Sequence, residues 1–147
     1  MIKNQTDPTE ITVKINRLST LLTTGLLSGV IAALLNIIYM YLHESLTSFS
    51  IPEVINIGSV AIASLIPGII SGIFYFMLRR VMTDKKAMLT FLITLFVFVL
   101  LSLLGPLSSE LPNGTITPRG FQGLTIPMHI IAVLLYSTML VRSVPTS

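Results

Sequence analysis

The sequence predicts an all-α membrane protein: a four-transmembrane-helix antiparallel bundle, up-down-up-down, with a short amphipathic lead-in helix at its N-terminus. Three observations carry this. Of the 147 residues, 52% are hydrophobic and 10% charged, with mean hydropathy +0.88, whereas soluble domains carry about 25% charged residues. Four long apolar runs, approximately 18–42, 56–78, 87–104 and 123–141, are separated by short polar segments. The basic residues are also segregated, as shown below. The chain is expected to form one integral membrane domain over 1–147, with no separate soluble part.

Residues Met1 to Thr6 read as an unstructured start. Asp7-Pro8-Thr9-Glu10 then gives a helix start, with Asp7 as N-cap, Pro8 at the first helical position and Glu10 closing a capping box. Ile11, Ile15, Leu18 and Leu22 follow at helical spacing around Lys14 and Arg17, the pattern of a helix lying at a membrane surface. The first span, 18–42, has no formal charge. At ~1.5 Å per residue it reaches roughly 37 Å, more than the ~30 Å hydrocarbon core requires. It is too long for a signal peptide's apolar region, and no small-residue cleavage site follows, so a cleavable leader is not expected. With no tryptophan in the chain, Tyr39 and Tyr41 are the candidate interfacial anchors of this span.

A polar loop with His43, Glu44, Pro52 and Glu53 leads to the second span, where Pro67 predicts a kink among small residues. Arg79-Arg80 stop that span, and Lys85-Lys86 close a basic turn around Asp84. The third span holds Phe91, Phe96 and Phe98 and ends at Gly105-Pro106. The next loop is rich in turn formers and contains Glu110, Arg119 and an Asn113-Gly114-Thr115 sequon, a tripeptide common by chance. The fourth span carries Pro127, His129, Ala132, Tyr136 and Ser137, and Arg142 stops it.

In a four-span topology Lys3, Lys14, Arg17, Arg79, Arg80, Lys85, Lys86 and Arg142 fall on one side and only Arg119 on the other. Both termini and the middle turn are therefore expected in the cytoplasm, with the protein in the plasma (inner) membrane. Glu44, Glu53 and Glu110 fall in the outward loops.

Two pairs of small residues stand at matching depth. Gly25 and Gly29 lie in the cytoplasmic half of the first span, and Gly68 and Gly72 in that of the second, which runs the opposite way. Missing side chains at both places let the two backbones approach, so these glycines are the expected helix-packing seam. A polar layer is expected in the outer half. Asn36 continues the Gly25, Gly29, Ala32 stripe, and His129 begins a stripe with Ala132 and Tyr136. Both lie about 9 Å below the outer boundary at ~1.5 Å per residue. Ser64 and Ser102 fall in the same half. Asn36, Ser64, Ser102 and His129 are thus candidate ligand-binding residues. The first reading of the layer is interhelical hydrogen bonds that fix register; the second is an outward pocket in which His129 titrates or ligates, and the third is a His129 that only reaches the interface.

Other chemistry has little to work with. No cysteine is present, which removes disulfides and thiolate chemistry. No acidic residue lies in a span, no HExxH or Ser-His-Asp set occurs, and no catalytic residue or metal site is predicted. A two-histidine haem site would pair His129 with His43, which lies about 9–10 Å higher by helical rise. His43, Glu44, Glu53 and His129 offer zinc-type donors without a diagnostic spacing. No cofactor is predicted.

The chain resembles a family of small bacterial four-span membrane proteins that has no assigned function, a domain of unknown function. The points of match are AALLNIIYMYL in the first span, ASLIPGIISGIFYFMLRR in the second, LSLLGPL closing the third and PMHIIAV opening the fourth. The resemblance covers nearly everything from Leu18 onward and implies the four-span architecture. It directs attention to Asn36, Pro67, Pro106 and His129, and implies no activity.

The expected role is that of a non-enzymatic integral membrane protein that binds a partner membrane protein or a small ligand in the outer polar layer. The expected surroundings are the lipid bilayer, a membrane-protein partner or further copies of the chain, and no nucleic acid. The alternatives are a small transporter or channel-like subunit acting as an oligomer, and a redox subunit holding a cofactor on His129.

Overall fold

A computed structural model describes the backbone of residues 8–111 and 114–143, and the side chains of residues 17–111 and 114–143. Asp7 with its capping role, the Met1 to Thr6 segment and Asn113 of the sequon lie outside the described residues. So do the side chains of Ile11, Lys14 and Ile15, on which the amphipathic lead-in rests.

The described chain forms four helices: α1 (Pro8–Thr47), α2 (Ile57–Val81), α3 (Asp84–Ser102) and α4 (Phe121–Arg142). Each is long and apolar enough to cross a membrane. Large apolar side chains such as Leu34, Ile62, Phe96, Phe98 and Leu134 point outward, as they do where lipid replaces water around a bundle. The lead-in and first span are one uninterrupted helix. α2 begins where Asn56 accepts from the Ser59 amide while the Ser59 hydroxyl accepts from the Asn56 amide. α3 starts earlier than its apolar run, because Asp84 suits the positive end of a helix dipole and Lys85 and Lys86 remain exposed in the first turn. α3 also ends before Gly105-Pro106, in a series of turns through Leu107. Gly120 caps the start of α4 at φ +94°, a conformation that favours glycine, and a side chain there would meet the Phe49 ring at 3.2 Å.

Neighbours in sequence are neighbours in space. α1 packs most extensively on α2 and next on α4, while α3 touches α2 and α4 but not α1. The bundle thus has a basic end, with Arg17, the α2–α3 turn and Arg142, and an acidic end, with Glu44, Glu53 and Glu110 on the two longer loops.

Packing is closest toward the basic end. A β-carbon added to Gly25 would stand 2.5 Å from the Gly68 carbonyl oxygen, and one added to Gly68 would stand 2.6 Å from the Gly25 oxygen. Gly29 faces the backbone of Ser64 and Leu65 at 3.0 Å, and Gly72 faces the Leu21 carbonyl. Backbone therefore meets backbone along this seam. Beside it Tyr75 stacks on Phe91, ring centroids 4.6 Å apart, within a core completed by Leu21, Leu78, Ala87 and Leu140. Arg79 closes this end: its side chain is 4% exposed, bonds Asp84 at 2.9 Å and lies 5.7 Å from the Tyr75 ring.

Candidate functional site

The other half is built differently. α3 buries Ala87, Phe91 and Leu95, one stripe at helical spacing, and its remaining residues toward Ser102 stay exposed or half-buried. The outer part of α3 therefore does not close the bundle between α2 and α4. A partly open cavity of about 700 Å³ occupies that space. Its walls come from α1 at Asn36, from α2 at Ser59 to Ser64, and from α4 between Phe121 and Ala132. The turns from Gly105 to Leu111 roof it, and no residue of α3 itself takes part.

Asn36 sits at the wall because the Gly25, Gly29, Ala32 stripe carries it onto the α2-facing side of α1. It is 4% exposed, and its Nδ2 donates to Ser64 Oγ at 3.3 Å. Its Oδ1 is buried without a partner. An unpaired amide oxygen in a low-dielectric interior costs about 1–3 kcal/mol, so a donor arriving there has something to gain.

Two prolines open further acceptors. Pro67 has no N–H, so the Ala63 carbonyl loses its helical donor, and Ala63 lines the cavity. In the same opened turn the Ser64 carbonyl takes a 2.6 Å bond from the Tyr136 hydroxyl, which ties α4 to α2 beneath the cavity. Pro127 does the equivalent in α4, removing the donor of the Gly123 carbonyl. Tyr39 supplies the replacement, its hydroxyl donating to Gly123 O at 2.7 Å. Tyr39 is thus a bonding residue as well as an aromatic near the boundary, whereas Tyr41 is exposed.

His129 lines the cavity with its Nδ1 2.8 Å from the Thr125 carbonyl oxygen. A carbonyl only accepts, so Nδ1 carries the proton, and a neutral ring then presents a lone pair at Nε2. Thr125 turns its own hydroxyl back to the Phe121 carbonyl at 2.8 Å. Glu110 is an acidic residue of the roof, and its backbone forms an isolated antiparallel bridge with Ile116.

The structure brings together three of the four residues singled out for the polar layer: Asn36, Ser64 and His129. It does not bring Ser102 to them. Ser102 is exposed at the end of α3 and its hydroxyl donates to Val99 O at 2.8 Å. Sequence reasoning did not single out Thr125 or the Ala63 carbonyl, and it placed Glu110 in an outward loop capping the layer. The prolines could have revealed the carbonyl, since the fourth residue before a helical proline always loses its donor.

His43 does not join His129. It packs between Tyr39 and Phe49, ring centroids 5.9 and 5.6 Å away, with its Cε1 3.3 Å from where a Gly123 side chain would begin. Among the described residues no group of three or more His, Cys, Asp or Glu converges as metal ligands would.

The chain belongs to a family of unknown function (DUF6069), which it matches over residues 16–144. No curated protein and no solved structure matches it.

Proposed function

We propose that this membrane protein acts by binding, taking a small amphipathic ligand into the cavity between α2, α4 and the α3–α4 turns. The observation that carries this is the cavity itself. At about 700 Å³ it falls within the range of small-molecule sites, largely apolar with a few convergent polar groups. Asn36, Ser64 and His129 are those groups. The binding is without turnover: the bond that His129 makes among the described residues goes to backbone and not to a hydroxyl nucleophile. The excess of Lys and Arg at the basic end supports cytoplasmic termini in the plasma membrane. The cavity then lies in the outer half of the bilayer, where a lipid-soluble molecule enters on the side that α3 leaves open.

Native mass spectrometry of protein released from its own membrane tests this reading. The expected result is a bound species of small-molecule mass that is lost in Ala132→Phe, whose ring would fill the cavity. Retention of the same species by a folded Ala132→Phe protein would overturn the reading.

A further inference from the structure

The wall groups also specify which kind of head group fits. Hydroxyls such as those of Ser64 and Ser108 turn either way, so they do not discriminate. The polar groups with fixed roles do. Asn36 spends one Nδ2 proton on Ser64 and presents an oxygen that is buried without a partner. The Ala63 carbonyl has lost its helical donor to Pro67. The His129 tautomer that donates from Nδ1 to the Thr125 carbonyl has its lone pair at Nε2. Glu110 adds a carboxylate, and no lysine or arginine stands among the described wall residues. Each of these groups offers at least one acceptor.

A site of this kind repels anions, because a carboxylate or phosphate would bring lone pairs to lone pairs with no cation to balance them. Neutral acceptors such as ketones fare no better. A donor-rich head satisfies the walls, and a charged donor does so most strongly, since hydrogen bonds involving an ionised partner are about twice as strong as neutral ones. The acidic end favours the same sign, with Glu44, Glu53 and Glu110 against Arg119. The apolar remainder of the wall, including Val60, Phe121, Met128 and Ala132, suits a hydrocarbon body.

We infer that the ligand of this cavity is a lipophilic organic ammonium with at least one N–H, held by the Asn36, His129, Ala63 carbonyl and Glu110 acceptors. The inference rests on the binding reading above and adds the ligand's charge and hydrogen-bond sense.

The test uses the full chain in phosphatidylcholine nanodiscs and three probes that share one hydrocarbon body: adamantyl amine, adamantyl alcohol and adamantyl carboxylate. Equilibrium dialysis against empty discs gives saturable binding for each. The amine is expected to bind at least tenfold more tightly than the carboxylate and more tightly than the alcohol. Glu110→Gln, a change at an exposed roof residue, is expected to reduce the amine's advantage over the alcohol several-fold. Ala132→Phe is expected to abolish binding of the amine. If alcohol or carboxylate binds as well as the amine and Ala132→Phe abolishes that binding, the cavity binds but the inferred ligand class is wrong. If no probe binds saturably, or if Ala132→Phe leaves amine binding intact, the cavity reading falls along with it.

Discussion

The two halves of the bundle solve opposite problems with the same kind of helix. Toward the basic end, Gly25 and Gly68 bring α1 and α2 into backbone contact, and Tyr75, Phe91 and Arg79 fill and cap what remains. Toward the acidic end, Pro67 and Pro127 withdraw backbone donors, α3 stops contributing, and about 700 Å³ stays open. Side chains are removed in the first half and hydrogen-bond donors in the second. In a bilayer no hydrophobic force draws helices together, so association relies on close packing and on hydrogen bonds. The glycine half uses the first, and the rigidity it supplies allows the proline half to leave part of the second unmet.

If this division is right, the halves differ sharply in tolerance. The largest expected effect is at the seam. Gly68→Leu places side-chain atoms where the Gly25 carbonyl stands, and backbone cannot step aside as a flexible side chain can. No folded protein is expected by detergent gel filtration. Gly105→Ala, whose new carbon would have its nearest neighbour at 3.8 Å, should leave the elution profile and melting temperature unchanged. Equal behaviour of the two variants would break the comparison. The next largest effect is at the basic cap. Asp84→Asn leaves the buried Arg79 guanidinium facing a neutral amide, and loss of one partner of a buried ion pair costs roughly 3–5 kcal/mol. Arg79→Met with Asp84→Leu removes both charges and should cost much less than the single change, as measured by reversible unfolding in mixed micelles.

The sequence showed this division only in part. Span number, the matched depth of the glycine pairs and the approach of Asn36 to His129 all follow from helical rise and the run of the chain, so they were legible. The failure at Ser102 has a physical cause. Depth places Ser102 in the polar half, but depth says nothing about lateral position, and the buried stripe of α3, Ala87, Phe91 and Leu95, stops at Leu95. Nothing after Leu95 obliges the helix to stay against its neighbours. The roof over the cavity, from Gly105 to Leu111, was equally hidden, because its path depends on turns and one isolated bridge, not on a periodic pattern. The amphipathic face of the N-terminal lead-in lies outside the described side chains.

A smaller effect sharpens the comparison from the proline side. Tyr136→Phe removes the 2.6 Å bond to the Ser64 carbonyl and should cost about 0.5–1.5 kcal/mol, the range of interhelical hydrogen bonds in membranes. Tyr39→Phe should cost a similar amount through the Gly123 carbonyl. That second loss has an internal check. Pro127→Ala restores an N–H to α4, so the Gly123 carbonyl regains a helical donor and no longer depends on Tyr39. The cost of Tyr39→Phe should therefore fall toward zero in the Pro127→Ala background. An unchanged cost there would mean that the tyrosine acts by packing, and the account of the prolines as donor-removing devices would fail.

The smallest effect concerns the residue that depth alone misplaced. Ser102→Ala deletes a hydroxyl that is exposed and bonded only to its own helix at Val99. Such a bond competes with the backbone and adds little, so stability should change by less than about 0.5 kcal/mol. Probe binding should be unaffected too, because no residue of α3 lines the cavity. Ser64→Ala removes the same chemical group at the same membrane half but from a 2%-exposed site bonded to Asn36. It should weaken adamantyl amine binding and lower the melting temperature, since it leaves the Asn36 amide without its hydroxyl partner. The two alanine variants differ in which helix carries the serine, in its burial and partner, and in whether that helix reaches the cavity. If they behave alike, the outer half of α3 closes on α2 and α4 in the bilayer and the open side of the bundle disappears. If only Ser64→Ala acts, the opening beside α3 is real and the polar half is organised by α1, α2 and α4 alone.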